Sequence, residues 1–201
     1  MIIFSALPEE VKGLPLQNYE VILTGVGKIN ATRKLTEYIQ NESFVGPVIN
    51  YGTAGKASDK VEVGKVYSVN EFIQRDMDAI SMGFEKYETP FGNYALNITN
   101  DPSGVSCGTG DSFYSYIDWH GNSTDFDIVD MEAYALASVC QTYGIPFRCY
   151  KYISDSGNPQ DWKDNCSKGV DLFVERLEKD GIVWMLRGCV GFSHSEGSWI
   201  W

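Results

Sequence analysis

FDIVDMEAYALASVCQTYGIPFRCYKYISDSG, residues 126–157, reads as a strand, a helix and a second strand in close succession. Residues 126–130 form a short apolar run that ends in Asp130-Met131-Glu132. Ala135, Leu136, Val139 and Cys140 then recur at helical spacing, and Gly144 stands where a helix hands over to a left-handed cap. Residues 146–153 return to a strand pattern and run into Ser154-Asp155-Ser156-Gly157. Two strands joined through a helix are the unit of an α/β layered fold.

Working towards the N-terminus, the same alternation repeats. Residues 2–6 and 19–24 read as strands, with residues 9–13 as a brief helix or turn between them. Gly25-Val26-Gly27 opens a helix carrying Ala31, Leu35, Tyr38 and Ile39, and residues 47–51 form a third strand that enters the loop Gly52-Thr53-Ala54-Gly55. The middle is different: residues 63–72, 94–99 and 105–109 read as strands with no strong helical period between them. The fold class is therefore α/β, a three-layer α/β/α arrangement around a mixed central sheet. Residues 162–179 form a final amphipathic helix through Val170, Phe173, Val174 and Leu177. Residues 1–186 read as one domain, and residues 187–201 as an irregular tail without a period.

The 201 residues carry 16 Lys+Arg against 27 Asp+Glu, a formal charge of -11. That balance argues against nucleic acid as a partner, which needs a surplus of cations over its footprint. No apolar run approaches the ~20 residues of a membrane helix, so no membrane partner is expected. The opening MIIFSALPEEV lacks the basic region of a signal peptide. Cys107, Cys140, Cys149, Cys166 and Cys189 are odd in number and form no CxxC pair, which points to reduced thiols and a cytoplasmic location. His120 and His194 lie far apart, and no metal site is expected. Gly25-Val26-Gly27-Lys28 lacks the rest of either phosphate-loop pattern and reads as a tight strand-to-helix turn. Trp119, Trp162 and Trp184 read as core or interface aromatics, and Asp76 with Asp78 as a turn feature.

Three acids follow strands: Glu10 the first, Glu132 the IVDM run and Asp155 the YIS run. Open α/β sheets place ligands at the carboxyl ends of their strands, and the three are expected at one such edge. Each alone is also what a helix N-terminus favours. Together they suit a polyhydroxylated or cationic ligand. A ribose diol calls for a carboxylate, a leaving purine for a proton donor and an attacking water for a base.

With ALPEEV at 6–11, TGVGKINA at 24–31, INYGTAGK at 49–56, RDMDAISMGFE at 75–85, CGTGDSF at 107–113, VDMEAYALASVC at 129–140 and YISDSG at 152–157, the chain resembles the purine nucleoside phosphorylase superfamily. Within it, the resemblance is to the methylthioadenosine/S-adenosylhomocysteine nucleosidases. It implies that Glu10 activates the attacking water and that Asp155, steadied by Ser154, protonates purine N7. It implies that Glu132 and Met131 hold the ribose hydroxyls, and that Thr53, Ala54 and Gly55 lie beneath the sugar. Phe113 would stack on adenine, and Met82 would reach the neighbouring subunit's site in a homodimer. The chemistry requires no cofactor.

The nucleophile separates the two branches of this superfamily. Phosphorolysis needs cations around the anomeric carbon, whereas SALPEEV offers two glutamates and no Arg precedes the Gly of NYGTAGK. Water is the expected nucleophile. Phosphate, for which Lys28 or Lys56 could supply a cation, and a silent nucleoside-binding member are the alternatives. The resemblance departs from the family between Glu10 and Thr24, where an extra hairpin is usual, at Lys151, where Arg is frequent, and at Tyr51, which either narrows the pocket or packs.

Overall fold

The computed structural model describes residues 1–41, 46–92, 95–97, 103–113 and 125–182, with the backbone alone at 95–97. In chain order the strands are β1 (Ile2–Ser5), β2 (Glu20–Leu23), β3 (Val48–Lys56), β4 (Val66–Gln74), β5 (Ala95–Asn97), β6 (Val105–Thr109), β7 (Ile128–Asp130) and β8 (Phe147–Asp155). The helices are α1 (Lys28–Asn41), α2 (Ala133–Tyr143), α3 (Pro159–Asn165) and α4 (Val170–Lys179), with a turn of 3-10 helix at Ile80–Met82. The tail 187–201, His120, His194, Cys189, Trp119 and Trp184 lie outside the described residues, as does the domain boundary at 186.

The sheet is mixed. β2, β1, β3 and β8 run parallel to one another, and β7, β6 and β4 form a second parallel set. The sets run in opposite directions and meet twice, where β8 pairs antiparallel with β4 and β3 pairs antiparallel with β7. The sheet thereby curls until β3, β8, β4, β6 and β7 close a ring. Such curvature removes exposed edges from these strands.

Side chains alternate along the central strands with the period of two that a pleat imposes. Val48 and Ala54 of β3, and Phe147, Cys149 and Ile153 of β8, join a core with α1 and α2. Ile49 and Tyr51 of β3, and Tyr150 and Tyr152 of β8, join a second core with Phe173 and Leu177 of α4. Helices on both faces complete three layers. Tyr51 is fully buried and stacks on Phe173 with ring centroids 4.0 Å apart, so it packs rather than narrowing a pocket. The short link after Glu10 forms turns, and buries Val11, Leu14 and Tyr19 against the same core.

Three elements differ from their sequence patterns. The single helix expected over 162–179 is two helices broken around Gly169. A β-carbon at Gly169 would stand 2.3 Å from Tyr152 Cγ and 2.6 Å from the Tyr51 hydroxyl, so the backbone passes against the aromatic layer where only glycine fits. β3 and β8 also run through segments that read as loops, taking Thr53, Ala54, Gly55, Ser154 and Asp155 into the sheet. α2 ends as expected, with Gly144 left-handed at φ 65° and its N–H shared between the carbonyls of Cys140 and Gln141.

Candidate active site

The site lies where the two parallel sets meet. Gly55 is in register with Asp155 on β8 and with Val129 on β7. Because β7 is antiparallel to β3, the residues after Val129 head back along β3 towards Thr53. The acids therefore do not share one edge of parallel strands. Glu10 and Asp155 follow strands of one set and Glu132 follows a strand of the other, and the curled sheet makes them converge.

A cavity of about 230 Å³ opens at this junction. It is lined by Glu10, Thr53, Ala54, Gly55, Phe113, Met131, Glu132 and Asp155, and also by Arg75, Ser112, Asp130 and Trp162. Ser154 lies just behind the wall, fully buried and bonded to Asp155. Met82 is not among the lining residues and is 73% exposed on its 3-10 turn.

Glu10 is 4% exposed and held from two sides. Its Oε2 accepts from Ser5 Oγ at 3.0 Å and from the amides of Ala6 and Leu7 at 3.2 and 3.1 Å. Its Oε1 accepts from the Thr53 amide and hydroxyl, each at 2.7 Å. Gly52 makes room for it: a β-carbon there would stand 3.1 Å from Oε1.

Asp155 ends β8, 3% exposed. Its Oδ2 accepts from Ser154 Oγ at 2.7 Å and its Oδ1 from the Gly157 amide at 2.8 Å. Burial raises its pKa, and the charge of Asp161 adds to that push, against the Ser154 and Gly157 hydrogen bonds. A carboxyl that keeps its proton to higher pH is suited to act as an acid.

Glu132 stands at the N-terminus of α2 and accepts from the Gly27 amide at 2.9 Å. Burial, followed by the nearby Asp130 charge, raises its pKa, while Lys151 and the Gly27 N–H work the other way. Asp130 and Lys151 form a buried ion pair of 2.8 Å beneath it. Asp130 also accepts from Thr109 Oγ1 at 2.5 Å and from the Ala133 amide at 2.8 Å, which fixes the start of α2. Burial alone would raise the Asp130 carboxyl, but Lys151 and these donors outweigh it and hold it below the usual range.

Lys28, Asp76 and Asp111 tie the surrounding loops together. Asp76 takes the Lys28 ammonium at 2.5 Å and the Asp111 amide at 2.9 Å, and Asp111 accepts from the Lys28 amide at 2.8 Å. Both glycines of the Gly25-Val26-Gly27 turn have positive φ, 78° and 94°. The amides at the start of α1 point at the Glu132 and Asp111 carboxylates, where the helix dipole favours negative charge. Lys56 pairs with Asp59 at 3.0 Å. Neither Lys28 nor Lys56 lines the cavity.

Sequence reasoning overlooked Arg75 and gave Trp162 no place in the site. Arg75 follows β4 and bonds the Gly110 and Ser112 carbonyls and the Ser112 hydroxyl, bracing the loop that carries Phe113. Its place after a strand, within RDMDAISMGFE, was the available signal. Trp162 lies on α3, capped by Asn158 with Pro159 in its first turn, and nothing in its spacing marks it. Among the described residues no cluster of three potential metal ligands occurs, and no helix is long and apolar enough to cross a membrane.

Comparison with known proteins agrees with this architecture. The 5'-methylthioadenosine/S-adenosylhomocysteine nucleosidase of Bacillus cytotoxicus is 31% identical over 172 residues, covering 73% of this chain and 72% of its own. That of Staphylococcus carnosus is 28% identical over 166 residues, covering 71% and 72%. Among solved structures, futalosine hydrolase of Helicobacter pylori superposes with a TM-score of 0.76 at 16% identity, over 90% of this chain and 96% of that one. The S-adenosylhomocysteine nucleosidase of Streptococcus pyogenes, in complex with 5-methylthiotubericidin, gives 0.70 at 21% identity, over 92% and 95%. The model of the phosphorylase superfamily matches residues 17–180, and the chain belongs to that superfamily.

Proposed function

We propose that this protein is a nucleosidase that hydrolyses the N-glycosidic bond of a 5'-modified adenosine, such as methylthioadenosine, S-adenosylhomocysteine or 5'-deoxyadenosine. The products are adenine and the ribose derivative. The observation that carries this reading is the convergence of three buried carboxylates, Glu10, Glu132 and Asp155, on one small cavity. The nucleosidases among its relatives support the substrate class.

Each acid has a separate task. Glu132, with Met131 beside it, takes the ribose hydroxyls, and Phe113 covers the base. Asp155 gives its proton to purine N7 as the bond between C1' and N9 breaks and its electron pair leaves with adenine. The ribosyl ring gains positive charge, which the surrounding carboxylates stabilise more in the transition state than in the neutral ground state. Water attacks C1' and yields its proton to Glu10. Thr53, Ala54 and Gly55 support the sugar from β3, and Ser154 holds the Asp155 carboxyl in place.

Electrostatics favour water over phosphate. The end of the cavity nearest Thr53 holds Glu10, whose charge would repel a dianion. The helix N-terminus of α1 is turned to Glu132 and Asp111. Lys28 and Lys56 are engaged by aspartates, and Arg75 braces the loop at 110–112.

This reading further takes residues 1–186 as one catalytic domain acting in the cytoplasm. It takes the active form as a homodimer in which Met82, exposed and outside its own cavity, completes the partner's site. Release of free adenine from methylthioadenosine, followed with and without phosphate, tests the proposal. Turnover in phosphate-free buffer is expected, and turnover only on adding phosphate would refute it.

A further inference from the structure

The indole of Trp162 joins a directed chain of hydrogen bonds. Trp162 Nε1 donates to Thr53 Oγ1 at 3.0 Å, and Thr53 Oγ1 donates to Glu10 Oε1 at 2.7 Å. An indole nitrogen can only donate. The Thr53 hydroxyl must therefore accept from it, and its single proton is left for Glu10. The Thr53 amide donates to the same oxygen at 2.7 Å, so Oε1 receives a fixed backbone donor and a hydroxyl donor whose direction Trp162 sets.

The C-terminal end of α3 is tied to the acid side of the site. Asn165 Nδ2 donates to the Ser154 carbonyl at 2.8 Å, on the strand end that carries Asp155. One helix of 7 residues thus links the strand that presents Asp155 to the threonine that holds Glu10. Trp162 itself is only half-buried and lines the cavity, so its position is not explained by core packing.

We propose that Trp162 is a positioning residue, which acts through the Thr53 hydroxyl to aim the Glu10 carboxylate at the anomeric face of the substrate. This rests on the reading of Glu10 as the group that activates water. Without the indole N–H, the Thr53 hydroxyl is a free rotor. It can turn its proton away from Glu10, and Oε1 then keeps the backbone donor alone. A carboxylate with one fewer restraint samples more orientations, and small losses of alignment cost rate rather than binding.

A double-mutant cycle on the full chain tests this, with W162F removing the N–H and keeping an aromatic ring, and T53V removing the hydroxyl. W162F is expected to lower kcat about tenfold, the scale of one net hydrogen bond, with KM within about twofold. In the T53V background, W162F is expected to change kcat by less than about twofold, because the relay is already cut. An unchanged kcat in W162F, an equal loss in both backgrounds, or an effect carried wholly by KM would overturn the proposal.

A second readout does not depend on turnover. The indole ¹H–¹⁵N resonance that W162F deletes identifies Trp162, or sequential assignment linking each indole to its own backbone amide does so if W162F fails to fold. T53V and E10Q must each shift that resonance, and a resonance left in place by either variant overturns the relay. Wild-type protein that releases no adenine would refute the nucleosidase reading, while the resonance still decides whether the relay exists.

Discussion

Replacing Lys151 by methionine should cost more stability than any single change in the cavity wall. Lys151 and Asp130 are 2.8 Å apart, with side chains 1% and 0% exposed. Methionine keeps the length and much of the volume of lysine, so the change isolates the charge. It strands Asp130, which retains its donors from Thr109 and Ala133 but loses its cation. Breaking a buried pair by removing one partner costs about 3–5 kcal/mol. The remaining donors place K151M near the lower end, about 3 kcal/mol. The double variant K151M/D130N removes both charges and keeps an acceptor for the Ala133 amide, so it should recover at least half of that loss.

The measurement is urea unfolding at pH 7 by far-UV circular dichroism, with the slope checked for constancy. A K151M variant within about 1 kcal/mol of wild type, or a double variant less stable than K151M, would show that the buried pair does not carry this stability. The pH dependence gives a further check. Asp130 is held below its usual range, so its contribution is present above about pH 3.9 and drains as pH falls through its lower folded value. Lys151 is held above its usual range, so its contribution is present below about pH 10.4 and is lost as pH rises through its higher folded value. The gap between wild type and K151M should therefore be widest near neutrality and should close in acid. The same charge counters the upward push on Glu132, so K151M should also raise KM for the nucleoside.

Further outcomes follow from the site and from the core beside it. Gly52→Ala would put a β-carbon 3.1 Å from Glu10 Oε1 and 3.3 Å from Oε2, and should lower kcat about tenfold or more with little change in melting temperature. Asp155→Asn should reduce kcat by about 10²–10⁴-fold. In the wild type, kcat should fall as pH rises through the raised Asp155 value, because the acid form is the active one, and a flat profile over that range would remove Asp155 from the role. Tyr51→Phe should leave stability unchanged or raise it by up to about 1 kcal/mol, since the Tyr51 hydroxyl is fully buried with no hydrogen-bond partner among the described residues. A clear drop in its melting temperature would show that the hydroxyl has a partner.

What was legible in the chain followed from short-range periodicity. α1 and α2 announce themselves through Ala31 and Leu35 and through Leu136 and Val139, and Gly144 marks a real cap. In sequence β3 reads shorter than it is, because Gly52 and Gly55 look like punctuation. In the folded chain they are strand residues whose missing side chains admit other groups. Gly52 leaves room for the Glu10 carboxylate, and Gly55 leaves room for Val129 and for Asp155, 3.1 and 3.3 Å from where its β-carbon would be. The break at Gly169 was hidden for the same reason: the spacing of Val170, Phe173 and Leu177 is helical, and only the aromatic layer beneath forces the interruption.

The convergence of the acids is the part that no local pattern encodes. All three acids do come at or after the ends of strands, yet a common edge would require Glu132 to follow a strand parallel to β3 and β8. The antiparallel pairing of β3 with β7 instead sends Met131 and Glu132 back towards Thr53, against the direction of the other two strand ends. That pairing spans only Gly55↔Val129 and Lys56↔Ile128, and it can form because Gly55 lets the Val129 side chain approach closely. The cavity thus depends on glycine within a strand, a sheet that curls, and a buried Lys151–Asp130 pair that fixes the start of α2 beneath Glu132. Glu10 gains a further constraint from outside the sheet through the Trp162–Thr53 chain. Each of these is a contact between segments distant in sequence, which is why the residue types were readable and their arrangement was not.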